Sequence, residues 1–238
     1  MNTAPESYSQ FGEDVIVREF FEQRSDGFFM EVGANDPVKF SQTWLLERLG
    51  WTGLLVEPLA DRCARLRTAR PRSRVHQVAV GAPAQRGQLE LQVPPDDMFA
   101  SLSPRDKAPT AVKTQTVQVK TLDEVLASEG DPAVDFISID VEGLELEVLQ
   151  GFALVRHRPA LLIMEDHLKS LAVHTHLTAH GYKLVKRTGC NNWYVPAGTP
   201  FPFTTWTERV QLWKRLRLNT PWNITRRRLV GTLRGRAG

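Results

Sequence analysis

Two acidic residues, 26 positions apart, stand where two short apolar runs end. The first lies in the turn Glu31–Asn35, of sequence EVGAN, and the second, Glu57, follows the apolar run Gly53–Val56. A lone glycine such as Gly33 in a tight turn lets a ligand lie against bare backbone. Because neighbouring parallel strands end at one edge of a sheet, we expect the Glu57 carboxylate to accept both hydroxyls of a ribose bound there.

The glycine pattern of this turn argues against a dinucleotide ligand. Dinucleotide enzymes use G-x-G-x-x-G, which lets a helix N-terminus hold a pyrophosphate, whereas here Gly33 is alone and Asp36-Pro37 follow. One glycine with flanking acids suits a nucleoside that lacks phosphates, above all S-adenosylmethionine (SAM), whose sulfonium is cationic. An ordinary strand and turn without a ligand is the alternative that this segment alone leaves open.

Further acids stand at the ends of two later apolar runs. Asp140 ends the predicted strand 134–139, and Glu165 ends the predicted strand 160–164, with His167 close behind. Acids gathered at one edge repel one another unless a cation is held there. The candidates are the sulfonium and a divalent metal such as Mg²⁺, with Asp140 and Glu165 as oxygen ligands. His167 could accept a proton from a hydroxyl nucleophile; the alternatives are a structural hydrogen bond for His167 and a helix N-cap for Asp140.

The elements that must position these residues alternate between helical and strand periodicity, which indicates an α/β fold with a parallel sheet. Helices are predicted at 12–23, 41–49, 59–69, 121–128, 143–150 and 168–180. Sheet strands are predicted at 28–32, 53–57, 75–80, 134–139, 160–164, 182–187 and 192–195, the last two as an antiparallel hairpin. Period-2 runs at 89–93 and 117–119 predict a hairpin insertion around a polar, proline-rich loop, 94–116.

Composition places the chain among soluble globular proteins. Its 238 residues are 42% hydrophobic and 24% charged, which fits one large α/β domain. No apolar stretch approaches the roughly 20 residues that span a bilayer. The polar start, Met1–Gln10, lacks a signal region, and Cys63 and Cys190 show no metal-ligand spacing, so a reduced, cytoplasmic location is expected.

The positive charge is concentrated in the last thirty residues. From Arg209 onward there are nine basic residues and no acid, which leaves the rest of the chain net acidic by about six charges. The sequence therefore gives no reason to expect nucleic-acid binding by the main domain. Trp206, Val210 and Trp213 recur at helical spacing beside arginines, a pattern that suits a helix on the anionic inner face of a membrane. The alternative is a helix that packs its tryptophans on the sheet or on a partner subunit in a homo-oligomer.

Six short motifs in order resemble the FkbM-type SAM-dependent methyltransferases. They are SQFGED (9–14), EVGAND (31–36), GWTG (50–53), Glu57-Pro58, DVEG (140–143) and EDH (165–167). The resemblance extends from about Ser9 to Val195. It implies the Rossmann-like class I methyltransferase fold, with a seven-stranded, mostly parallel sheet. It also implies O-methylation of a hydroxyl on a sugar, in a small molecule or a glycan, or on a secondary metabolite.

The resemblance also implies roles for individual residues. Cofactor binding is implied for eight residues. Glu31, Gly33 and Asn35 would line the methionine side, Ser41 would bind the SAM carboxylate, Glu57 would bind the ribose, and Ala79 would lie near the adenine. Gln10 and Asp140 are the other two. Catalytic roles are implied for Asp140, Glu165 and His167, the first two also as metal ligands. Pro37 departs from the family's usual glycine. The expected organisation is a methyltransferase domain over 1–200 and a basic, partly amphipathic tail over 201–238. The rival classes are a non-catalytic SAM-binding protein and a Rossmann-type oxidoreductase.

Overall fold

A computed structural model of the chain describes residues 6–93, 113–168 and 170–220. Its strands are β1 (Phe28–Val32), β2 (Thr52–Val56), β3 (Ser73–His76), β4 (Ala79–Val80), β5 (Gly87–Val93), β6 (Lys113–Lys120), β7 (Phe136–Ile139), β8 (Leu161–Glu165), β9 (Tyr182–Thr188) and β10 (Asn191–Pro196). Its helices are α1 (Glu13–Phe20), α2 (Trp44–Arg48), α3 (Ala60–Ala69), α4 (Leu122–Ser128), α5 (Glu145–Gln150), α6 (Leu154–His157), α7 (Ala172–Ala179) and α8 (Trp206–Lys214). A 3-10 turn at Pro83–Gln85 and a π-helical turn at Arg215–Asn219 are also present.

Seven strands form one sheet in the order β3-β2-β1-β7-β8-β10-β9. The pairs from β3 to β8 are parallel, and β10 runs antiparallel to both of its neighbours. The chain builds β1, β2 and β3 outward and then returns to place β7 on the other side of β1. Ligands of open α/β sheets bind outside the carboxyl ends of the strands at such a reversal. The predicted seven-stranded, mostly parallel sheet with its final antiparallel hairpin is confirmed.

The main sheet is buried on both faces, because successive side chains of a strand point to opposite sides. Along β1, Met30 joins the core on the face that holds Leu122, whereas Phe29 joins Trp51 on the other face. All four side chains are fully buried. Packing on both sides fixes the strands, and the residues at their carboxyl ends therefore project from a rigid base.

The predicted strand 75–80 is wrong as a single element. β3 pairs with β2 in the main sheet, but after His76 the chain turns away, and Ala79–Val80 pairs with β6 in a separate sheet of order β4-β6-β5. Residues 75–80, of sequence VHQVAV, form one continuous strand-like run, so the sequence pattern does not show that its two ends have different partners. The hairpin insertion is confirmed by the antiparallel pairing of β5 with β6, while 94–112 lies outside the described residues.

Several helices are shorter than their sequence patterns predict, because the backbone turns left-handed near their ends. Glu22 and Gln23, inside the predicted helix 12–23, have φ of 54° and 58°, and α1 has already ended. Leu168, at the predicted start of the helix before Gly181, has φ of 52°, and α7 begins only at Ala172.

The last described element is the helix α8, with its π-helical turn. An ion pair of 2.6 Å between Lys186 and Glu208 ties α8 to β9. Trp206 and Trp213 remain 76% and 57% exposed, so the alternative in which the tryptophans pack on the sheet is wrong. Among the described residues, none of the helices has the length and apolar character needed to cross a membrane.

Candidate active site

A cavity of about 410 Å³ opens at the carboxyl ends of β1, β2, β7 and β8. Of the residues that the sequence suggested for a site, those lining this cavity are Gln10, Glu31, Gly33, Asn35, Glu57, Ala79, Asp140, Glu165 and His167. Ser41 is not among its lining residues. The residues suggested for nucleoside binding and those suggested for proton transfer therefore share one cavity.

Gly33 brings the ends of three strands together. Its φ is 82°, and the N–H groups of Gly33 and Ala34 both donate to the carbonyl of Val56, at 2.9 and 3.2 Å. A Cβ added to Gly33 would lie 1.9 Å from the carbonyl oxygen of Asp140. Both the left-handed backbone and this close approach require glycine here. The floor of the cavity is therefore bare backbone, as the sequence pattern predicted.

Glu57 is buried at the end of β2 and holds the turn above it. Its carboxylate accepts hydrogen bonds from the backbone N–H groups of Asn35 and Leu59, each at 3.0 Å. Burial raises the pKa of Glu57 even though these hydrogen bonds favour the ionised form. Each carboxylate oxygen accepts one of these bonds and keeps acceptor capacity for a further donor, such as a ribose hydroxyl in the cavity.

Glu31 is bound mainly to protein groups. It accepts hydrogen bonds from the Ser41 hydroxyl at 3.0 Å, the Gln42 N–H at 2.9 Å and the Thr43 hydroxyl at 2.5 Å. A nitrogen of the buried Arg70 lies 3.6 Å from the same carboxylate. The implied contact from Ser41 to the SAM carboxylate gains no support, because the Ser41 hydroxyl points at Glu31. This network instead positions the loop that carries Gln42 to the cavity.

Gln10 reaches the cavity because two buried acids fold the first described residues onto the sheet edge. Asp14 accepts hydrogen bonds from the hydroxyls and backbone of the segment that precedes it. Glu13 accepts from the Thr188 hydroxyl at 2.7 Å and from the Asn191 side-chain amide at 2.9 Å. The motif SQFGED therefore joins the start of the chain to the β9–β10 turn, which also borders the cavity.

Three carboxylates converge beyond the ends of β7 and β8. Asp140, Glu142 and Glu165 each place an oxygen within 4.8 Å of the others. Asp140 is exposed towards the cavity, yet the enclosing protein desolvates its carboxyl group and raises its pKa well above the usual range, and the adjacent Glu165 carboxylate raises it further. The N-cap alternative for Asp140 is wrong, because α5 begins at Glu145 and has Leu144 as its N-cap residue.

His167 and Cys190 flank this acid group. The Nε2 atom of His167 lies 3.5 Å from Glu165, and its side chain is 57% exposed. Burial, together with Glu165, raises the pKa of the Cys190 thiol to about 12. Cys190 is therefore a neutral thiol near pH 7 and a poor nucleophile. Among the cavity-lining residues, His167 provides the imidazole nearest to these carboxylates.

Several polar residues of the cavity are not predicted by the sequence patterns. Gln42 and Ser138 are buried and bonded to each other at 3.0 Å, and both line the cavity. A serine inside the apolar strand β7 was a signal that could have been used, because a buried hydroxyl needs a partner. Asn191 had no such signal, because its place depends on how the β9–β10 turn meets Glu13.

Arg62 is a further missed residue and is unusual in its bonding. It lies on α3, lines the cavity and is only 4% exposed. Its Nε and Nη2 atoms are buried and find no hydrogen-bond partner. Its positive charge favours the ionised form of Glu57. A buried guanidinium with unpaired donors is costly, and a ligand with acceptor atoms would satisfy it.

Comparison with solved structures finds distant likenesses among methyltransferases. Methyltransferase FkbM from Methylobacillus flagellatus KT is 18% identical with a TM-score of 0.48, and the match covers 72% of this chain and 44% of that one. An O-methyltransferase from Bacillus cereus in complex with SAH is 9% identical with a TM-score of 0.42, over 77% of each chain. The chain thus spans less than half the length of the Methylobacillus protein. No curated protein matches it.

The family assignment comes from the sequence itself. The family model described as the methyltransferase FkbM domain matches residues 31–184, from the Glu31 turn into β9. This range contains the ends of β1, β2, β7 and β8 and hence most of the cavity lining. The match covers well over half of the chain, and the protein therefore belongs to the methyltransferase FkbM domain family.

Proposed function

We propose that the protein transfers a methyl group from SAM to a hydroxyl of a sugar, in a glycan or a glycosylated metabolite. One observation carries the proposal: the buried acid Glu57 and the group Asp140, Glu165 and His167 open onto a single cavity. Membership of the methyltransferase family implies methyl transfer in general and SAM as the donor. The choice of a sugar hydroxyl rests on the resemblance described above.

The cavity lining is suited to the parts of a nucleoside. Glu57 would accept the ribose hydroxyls, while the backbone beside Gly33 allows close approach of the ligand. Ala79, which is buried beside the apolar Val78 and Leu91, offers a surface for a flat base. When bound, SAM supplies an electrophilic methyl group on a cationic sulfur. The chain would contribute by holding the acceptor in line with that methyl group.

The acceptor hydroxyl must lose a proton during transfer, and His167 is placed to take it. Its Nε2 atom lies 3.5 Å from Glu165, so the imidazolium formed would stand beside a carboxylate. Asp140, whose pKa is raised, would share a proton with the neighbouring acids instead of adding a further negative charge. A divalent ion would also fit the oxygens of Asp140 and Glu165 and would lower the pKa of the hydroxyl.

The first experiment identifies the bound nucleoside. Protein purified without added ligand is denatured, and the released small molecules are measured by mass spectrometry. SAM or its demethylated product supports the proposal, whereas NAD would support the oxidoreductase alternative. Calorimetry with the demethylated product, S-adenosylhomocysteine, gives the affinity directly. A protein that binds neither form of the cofactor contradicts the proposal.

The second experiment separates catalysis from binding alone. Transfer of a labelled methyl group from SAM to a panel of sugars, nucleotide sugars and glycosides is compared between the wild type and Asp140→Asn. The variant should bind S-adenosylhomocysteine and lose transfer. Wild-type turnover by the variant would contradict a catalytic role for Asp140. Full activity of the wild type in a chelator would exclude an essential, exchangeable divalent ion.

A further inference from the structure

A second cavity, of about 600 Å³, lies beside the first. It is bounded by α8 and its π-helical turn on one side and by the end of β9 on the other. We call it the basic groove and define it by Arg187, Lys214 and Arg215, which line it together with Gln211 and Thr220. His167 lines both the basic groove and the active-site cavity. The groove therefore extends from the residue proposed to accept the proton.

Positive charge dominates the groove. Its one lining carboxylate, Glu208, is paired with Lys186 at 2.6 Å and also caps the N-terminus of α8. In the described part of the chain, Lys214 and Arg215 form no ion pair. Asp166 follows the end of β8 beside the groove. Its Oδ1 atom accepts a hydrogen bond from the backbone N–H of Leu168 at 2.7 Å. Three cations therefore face the groove, and Asp166, whose buried Oδ2 atom has no hydrogen-bond partner among the described residues, offsets part of the charge of Arg187.

Arg187 is held in place while part of its guanidinium stays unused. Its Nη1 atom donates to the Asp166 carbonyl at 2.8 Å and to the Asn192 side chain. Its Nε atom is buried and has no hydrogen-bond partner. Burial and the nearby Arg215 both lower the pKa of Arg187, although Asp166 partly opposes them. An oxyanion between the two guanidinium groups would relieve their repulsion. Its oxygens would accept hydrogen bonds from the unused N–H groups.

We infer that the basic groove binds a phosphate or diphosphate group on the methyl acceptor, and that this anchor presents the acceptor's hydroxyl at His167. The inference rests on the proposed function and specifies its substrate class as a phosphorylated sugar. Arginine forks match the oxygens of phosphate, and a cavity of this size admits a diphosphate. The same chemistry occurs in a soluble nucleotide sugar and in a lipid-linked sugar diphosphate.

The test is a calorimetric titration of the full chain with inorganic pyrophosphate, against sodium chloride at equal ionic strength. Wild type should bind pyrophosphate, and Arg187→Gln and Arg215→Gln should each weaken binding about tenfold or more. Arg209→Gln is the matched control, because Arg209 is exposed on the same helix and does not line the groove. Arg187→Gln also alters contacts of Asp166 and Asn192, so the exposed Arg215 tests the groove independently.

Two results of this titration would overturn the inference. One is a wild type that binds pyrophosphate no better than it binds chloride. The other is a loss of affinity in Arg209→Gln as large as the loss in Arg215→Gln. Titration with S-adenosylhomocysteine keeps the two proposals separate, because both groove variants should bind it as the wild type does. If the wild type fails to bind S-adenosylhomocysteine, the proposed function fails, and the pyrophosphate titration still decides the groove.

A second arm identifies the source of the phosphate. Uridine diphosphate in solution is compared with phosphatidylcholine vesicles that carry a polyprenyl diphosphate, each tested on wild type and Arg215→Gln. Binding of either probe that depends on Arg215 supports the groove and shows which form of acceptor it takes. Binding of both probes that is independent of Arg215 counts against the inference.

Discussion

At the scale of single residues, the cavity places a buried acid beside a buried guanidinium. Glu57 is buried and keeps two backbone N–H groups as partners. Arg62 is buried beside it with two donors unpaired. These two residues offer acceptors and donors to one ligand from one side of the cavity. Their contributions to ligand binding can therefore be measured separately by substitution.

Replacing Glu57 with glutamine should weaken S-adenosylhomocysteine binding by roughly 2–4 kcal/mol, because a charged acceptor of two ribose hydrogen bonds is lost. Glutamine keeps the size of the side chain and one acceptor oxygen. The matched control is Asp61→Asn, which removes the same charge from an exposed position on α3. Calorimetry measures both variants. Equal affinities for Glu57→Gln and the wild type would remove Glu57 from the ribose site.

The affinity for S-adenosylhomocysteine should also depend on pH through Glu57. Its pKa is raised, so Glu57 becomes protonated, and affinity falls, at a higher pH than for an ordinary glutamate. The effect on folding has the opposite sign. A raised pKa stabilises the unliganded fold below the ordinary value of 4.5, and this stabilisation is lost as the pH rises through the folded-state pKa. Glu57→Gln should flatten both profiles; unchanged profiles would exclude Glu57 as their origin.

Arg62→Met should have opposite effects on ligand binding and on stability. We expect S-adenosylhomocysteine to bind about tenfold more weakly, because two buried donors no longer meet the ligand. The free energy of unfolding of the unliganded protein should not fall, because a buried charge with unpaired donors is removed. Arg67→Met, at an exposed position on the same helix, is the control. A large loss of stability with unchanged affinity would make Arg62 purely structural.

At the scale of elements, the site depends on how closely the ends of β1, β2 and β7 approach each other. Gly33 bonds to the end of β2 and lies against the carbonyl of Asp140 at the end of β7. The β9–β10 turn closes another side, where Phe11 packs over Gly189 so closely that a Cβ there would lie 2.3 Å from its ring. The cavity is therefore formed by backbone contacts between elements as much as by side chains.

Gly33→Ala should lower the free energy of unfolding by about 3 kcal/mol or more. The alanine would adopt a left-handed backbone and would place its Cβ 1.9 Å from a carbonyl oxygen, so two strand ends must separate. Gly198→Ala is the control, because no atom lies within 4 Å of a Cβ there and its φ is not left-handed. Denaturant unfolding compares the two. Equal stability for both variants would show that the strand ends are free to move apart.

At the scale of the whole molecule, the chain is an α/β domain whose positive charge and exposed tryptophans are concentrated towards the end of the sequence. Lys214, Arg215 and Arg217 are exposed near the exposed Trp206 and Trp213. This arrangement favours binding to an anionic membrane surface. The aromatic side chains would be buried at the lipid interface, and the arginines would contact the anionic headgroups. The residues beyond Thr220, including Trp222 and the predicted basic end, lie outside the described residues. Membrane contact and homo-oligomerisation both stay predictions.

The full chain should sediment with vesicles containing phosphatidylglycerol at low salt, and replacing Trp206 and Trp213 together with glutamine should weaken this binding. The control is Val155→Gln, because Val155 is 73% exposed and belongs to α6, outside the tail sequence. A full chain that stays in the supernatant would contradict the membrane prediction. Light scattering then tests the alternative, in which the tryptophans pack on a partner subunit. In that case the wild type is oligomeric and the tryptophan variant is monomeric.

The sequence by itself determined the sheet and the acids at its edge. Continuous apolar runs placed β1, β2, β7 and β8, and Glu57, Asp140 and Glu165 follow these runs directly. Parallel strands end at a common edge, so their relative positions could be inferred without coordinates. The role of Gly33 was also inferred from the sequence, because a lone glycine directly after a strand indicates a tight turn with bare backbone.

Only the tertiary structure decided which side chains face the ligand and which face the protein. The Ser41 hydroxyl points to Glu31, Arg62 turns into the cavity, and the run 75–80 divides between two sheets. The basic groove likewise exists only because α8 packs beside the end of β9. Local sequence patterns encode the periodicity of a segment. Contacts between segments distant in sequence depend on the packing of the folded chain, which those patterns do not contain.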